Sequence, residues 1–176
     1  FAAPRRFFLT APFFALLAGL LLVWEGPSLL VSRWTPGTLA ATHLLTIGFM
    51  LQIMLGALIQ VLPVVAGVNI AHPLTVSRWL HGGLSIGTLL LAAGFQFGEP
   101  DALAMAAIIL GLTITGFLMV VAPPLFRVSS TSPTIRGLKF AMLGLVGTIA
   151  LGVVLALALA WGWSIPLLAL ADLHAA

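Results

Sequence analysis

The sequence predicts an all-α, polytopic transmembrane helix bundle of about five spans with its N-terminus cytoplasmic, and three observations predict it. Hydrophobic residues make up 61% of the 176 and charged residues 6%, with a mean hydropathy of +1.23, whereas soluble domains are about 45–50% apolar and about 25% charged. Seven Lys and Arg with four Asp and Glu cannot coat a water-soluble surface. The apolar residues fall in five runs of about 20 or more, the length that crosses roughly 30 Å of hydrocarbon at about 1.5 Å per residue. The positive charges, finally, segregate to alternate loops.

The first span runs from about Phe7 to Val31. Arg5 and Arg6 precede it and no small-residue cleavage site interrupts it, so it reads as a retained helix and not as a signal peptide. Pro12 fits a first turn after Thr10, while Gly26-Pro27 either ends or kinks the helix. The second span, about Gly37 to Ala66, is too long to stand upright, which predicts tilt or a break near Pro63. The third, about Trp79 to Phe97, is closed by the turn Gly98-Glu99-Pro100-Asp101. The fourth runs from about Ala102 to Phe126, with Pro123-Pro124 closing it, and the polar stretch from Arg127 to Gly137 reads as a loop. The fifth, about Leu138 to Trp163, stops at Ser164-Ile165-Pro166. The whole of 1–176 reads as one transmembrane domain. It opens without Met, and Ala171-Asp172-Leu173-His174 looks like the start of another element, so it reads as the N-terminal part of a longer chain whose further helices, or another subunit's, complete the bundle.

Lys and Arg are retained on the cytoplasmic side of a membrane. With the N-terminus inside, Arg5, Arg6, Arg78, Arg127, Arg136 and Lys139 are cytoplasmic, and Arg33 alone lies outside with Glu25, Glu99, Asp101 and Asp172. Trp24, Trp34, Trp161 and Trp163 then mark the outer boundary and Trp79 the inner one. This places the chain in a lipid bilayer, with a bacterial inner (cytoplasmic) membrane as the expected location. The pI of about 11.3 does not indicate nucleic acid, because the net charge is only +3 and the basic residues form no stripe. Without Cys there is no disulfide, iron–sulfur cluster or thiolate-ligated haem, and histidine is the one nitrogen ligand.

An ionisable group inside a membrane is a functional candidate. His43 lies about a turn and a half into the second span, and at 100° per residue Met50 and Met54 project from nearly the same side, a plausible wall for a flat apolar cofactor. The plainer reading is an interfacial histidine bonded to a carbonyl beside ordinary packing methionines. His174 loosely repeats the setting of His43 at the outer side, and two histidines at matching depths can ligate one haem iron from opposite faces. His81 begins the third span from the other side; with His72 and Arg78 it makes an alternative inner site for a second haem, a metal or a quinone headgroup, or simply a solvated pair. Arg33, before the His43 helix, is placed to receive a haem propionate, or to pair with Glu25 or a lipid phosphate. Gln52 and Gln60, with Gly48 and Gly56, form a stripe read as cross-helix hydrogen bonding in preference to a proton path. Gly82, Gly83 and Gly87, or Ala141, Gly144 and Gly147, read as small-residue packing faces.

The run His43-Leu44-Leu45-Thr46-Ile47-Gly48-Phe49, followed by Leu55-Gly56-Ala57-Leu58-Ile59-Gln60-Val61-Leu62-Pro63-Val64, resembles the histidine-bearing helix of membrane haem proteins related to the catalytic subunit of haem–copper oxidases and to NnrS-type proteins. The opening Pro4-Arg5-Arg6-Phe7-Phe8-Leu9 is similar to the start of NnrS-type chains. The resemblance covers about the first third of the chain and implies that His43 is an axial ligand of haem b, with His174 the best match to the later-helix ligand. There is no Tyr and no paired His-His, so an oxygen-reducing copper centre is not expected in this chain. The expected function is haem-b binding in electron transfer or in handling a diatomic gas (NO or O2); the alternatives are a cofactor-free structural or assembly subunit and, behind it, a small-solute transporter. This chain alone is not read as an enzyme.

Overall fold

The computed structural model describes residues 2–129 and 131–175. Its elements are α1 (Ala2–Glu25) with a 3-10 turn (Gly26–Leu30), α2 (Pro36–His43), a π-helical segment (Leu44–Leu51), α3 (Gln52–Ala66), α4 (Pro73–Phe97), α5 (Pro100–Arg127), α6 (Pro133–Trp161) and α7 (Leu167–Ala175). No strand is present among the described residues. Because α2, the π segment and α3 form one continuous rod, five helical rods are long and apolar enough to cross a membrane. The protein is an integral membrane protein with an all-α fold.

Proline and glycine set the ends. Pro36, Pro73, Pro100 and Pro133 each stand in the first turn of a helix, where the missing N–H has no partner to lose. Gly26, Gly67, Gly98 and Gly162 leave the helices at φ near +60°, a conformation that glycine reaches without strain. The third and fifth spans therefore begin at Pro73 and Pro133, earlier than Trp79 and Leu138, because the first turns are too polar for hydropathy to include. Three expectations are corrected. Pro12 lies inside α1 and not in its first turn. The second rod is not broken at Pro63, which lies inside α3; its irregularity is the π segment. Pro123 and Pro124 do not close α5, which runs on to Arg127.

Close contacts fix the packing. Phe7 lies against Gly56 and Phe14 against Gly48, so α1 and the second rod are antiparallel. Gly94 meets Leu103, Gly87 meets Leu110 and Gly83 meets Thr113, so α4 and α5 are antiparallel too. Gly111 faces Val153, and Lys139 Nζ donates to the Val128 carbonyl at 2.7 Å, which sets α6 against α5. The rods thus alternate between a near end, carrying the chain start, and a far end. Arg5, Arg6, Arg78, Arg127, Arg136 and Lys139 lie toward the near end; Arg33 and all four acidic residues lie toward the far end. Phe7, Leu62, Leu80, Leu84 and Phe117 fill the interior while Leu9, Phe13, Leu112, Met119 and Phe140 point outward, a surface suited to lipid.

Candidate paired-histidine site

His43 closes α2 where the π segment begins. Its Nδ1–H donates to the Leu39 carbonyl at 2.8 Å, which fixes the tautomer and leaves Nε2 as the nitrogen for a ligand. Phe95 of α4 packs against the ring at a centroid distance of 5.2 Å. The His174 ring stacks at a centroid distance of 6.5 Å from the His43 ring, with its plane 13° from parallel. The fold thus brings together the two histidines singled out in the sequence.

His174 approaches through a glycine. A Cβ on Gly152 would stand 3.1 Å from its Cε1, so α6 makes room for the ring by lacking a side chain there. Burial lowers the His174 pKa below the ordinary imidazole value, against a hydrogen bond to the Thr148 backbone that raises it, and the neutral form so favoured is the ligating one. Its Nδ1 is buried without a hydrogen-bond partner among the described residues. Two residues before it, Asp172 pairs with Arg33 at 2.8 Å, and the same guanidinium covers the Trp34 ring at 4.8 Å. Arg33 is therefore in a salt bridge, with Asp172 as the acid and not Glu25. The Glu25 carboxylate instead lies over Gly37 in the first turn of α2 and accepts from Gln96 Nε2 at 2.5 Å; α2's N-terminal dipole favours a carboxylate there.

Met50 and Met54 are 53% and 59% exposed. The π segment explains this: its i→i+5 pattern advances each residue by less than 100°, so Met50 near its end and Met54 beyond it leave the face of His43. His72 and His81 are not brought together. His72 is an exposed residue before α4 with φ +49°, whereas His81, nine residues on, bonds through Nε2 to Thr10 Oγ1 at 2.6 Å and meets Phe7 edge-on. Gln52 is fully buried and its Nε2 donates across to Ser85 Oγ at 3.3 Å, the cross-helix bond expected of it. Gln60 is exposed and lines a cavity of about 350 Å³ at the near end with Pro63, Asn69 and Pro73.

Sequence reasoning missed Phe95 and Gly152, since only the packing of α4 and α6 shows that they meet the histidines, and it placed Asp172 on the same side as Arg33 without pairing the two. Among the described residues no three of His, Cys, Asp and Glu gather, so a bare ion needing three or four protein ligands has no cage here. A metal that brings its own equatorial ligands needs only the two imidazoles. Comparison with protein-family models, with curated proteins and with solved structures finds no match to this chain.

Proposed function

We propose that the chain binds haem b and transfers electrons, and that His43 and His174 would hold the iron. The observation that carries this reading is the meeting of the two imidazoles, with centroids 6.5 Å apart and planes 13° from parallel; because ring nitrogens donate in the plane of the ring, holding one iron would require the stacked rings to turn edge-on to each other. A haem, when bound, supplies one-electron chemistry. The chain's own residues do the rest: Leu39 orients His43, Gly152 makes room for His174, and Phe95 packs against the His43 ring. Two protein ligands favour electron transfer over gas binding, which needs an open position on the iron. The charge distribution supports a cytoplasmic near end in a bacterial inner membrane, which turns the pair toward the outer leaflet.

A reduced-minus-oxidised visible spectrum of the detergent-purified protein tests the reading. The expected result is a b-type α-band that is lost in His43→Ala and altered or lost in His174→Ala. A folded, pigment-free protein that takes up no haem on titration would sink it. In that event a structural or assembly subunit is favoured, since Gly137, Gly144 and Gly147 on α6 face open space, where another helix can approach closely.

A further inference from the structure

Four buried side-chain atoms lack a hydrogen-bond partner among the described residues, and three of them follow one line through the bundle: Arg6 Nε, Gln52 Oε1 and Gln96 Oε1. That line is a polar face of α4. His81, Ser85, Thr88, Ala92 and Gln96 succeed one another at spacings of four, three, four and four residues, which keeps them on one side of a helix. The neighbouring rods complete it. Thr10 of α1 bonds to His81 and to the Arg6 carbonyl, Gln52 of α3 bonds to Ser85, and Glu25 at the end of α1 accepts from Gln96. The charged and titratable groups along the face are Arg6 and His81 toward the near end and Glu25 toward the far end.

We propose that this face is a water-bound proton path between the near end and Glu25, closed at one level by an apolar plug. A fully buried carboxamide oxygen with no protein partner is a site for ordered water, and Gln52 and Gln96 each present one. Between Thr88 and Gln96 the face is interrupted at Ala92, which packs with Phe14, Ala18, Ala40 and Leu44. An apolar constriction of that kind stops a water chain by dewetting, and three of its five side chains are single methyl groups. The path is independent of whether a haem is bound. A proton enters and leaves as hydrated proton and is passed between waters, so no oxidant or reductant is required.

Potassium-loaded proteoliposomes with valinomycin and an internal pH dye test the path. Wild type is expected to conduct slowly, Ala92→Ser to conduct about tenfold faster because a hydroxyl wets the plug, and Ala92→Ser/Gln52→Leu to fall back to the wild-type rate. Flux through Ala92→Ser no greater than through wild type overturns the proposal, as does undiminished flux in the double variant. A second measurement needs no variant: water-to-protein magnetisation transfer to the Gln52 side-chain amide in lipid, which is expected to be observed. A dry Gln52 overturns the proposal whatever the flux.

Discussion

Gly48 and Gly56 hold α1 against the second rod by lacking side chains. A Cβ on Gly56 would stand 2.7 Å from the Phe7 Cβ, well inside contact distance, and Phe7 is fully buried, so it has nowhere to move. Gly56→Ala is expected to destabilise the bundle by about 1–3 kcal/mol through overpacking, seen as a lower Tm in detergent. Gly82→Ala meets open space and is expected to be neutral or to stabilise by up to about 1 kcal/mol, as Ala for Gly does in a helix. Equal effects at the two positions would contradict the packing. The sequence marked Gly82, Gly83 and Gly87 alike as packing residues; only Gly83 and Gly87 meet α5. Residue type shows that close approach is possible, and the choice of face is made by the neighbour.

The π segment is the element that sets which side chains share a face. Leu44–Leu51 is apolar apart from Thr46 and contains no proline, so nothing in its composition distinguishes it from an ordinary helix, and an unbroken 100° step predicted Met50 and Met54 beside His43. Removing one residue, Ile47, is expected to restore α-helical pitch and turn α2 relative to α3. The chain has no Cys, so His43→Cys/His174→Cys gives a clean pair for a short bis-maleimide. Cross-linking is expected in that variant and is expected to vanish when Ile47 is also deleted. Cross-linking that survives the deletion would show that the π segment does not set the register. The positions of the five spans were legible because lipid demands long apolar runs; their polar first turns were not, because Pro73 and Pro133 begin helices that hydropathy reads as loop.

At the scale of the whole molecule, charge is the legible quantity. Six of the seven basic residues belong to the near end and all four acidic residues to the far end, a distribution visible once the spans were counted. Alkaline phosphatase fused after Gly98 is expected to be active, and fused after Arg127 inactive, in a bacterial host. The reverse pattern would invert the orientation proposed above. The meeting of His43 with His174 followed from matched depth along the chain. Its supports did not, because Phe95 and Gly152 belong to two other elements, α4 and α6, and carry no local signature. The expected propionate-binding role of Arg33 met a nearer anion, Asp172, which the sequence placed on the same side but which only the docking of α7 brings to the guanidinium.

The two imidazoles also differ in age. His43 is made early and His174 only after four further rods or part-rods have been threaded into the membrane; at about 5–20 residues per second the first waits on the order of ten seconds for the second. During that interval Phe95 arrives, so His43 has a packed flank but no opposing ring. The two rings can meet only after the five rods have been made, and a nascent chain interrupted before α7 leaves those rods without His174.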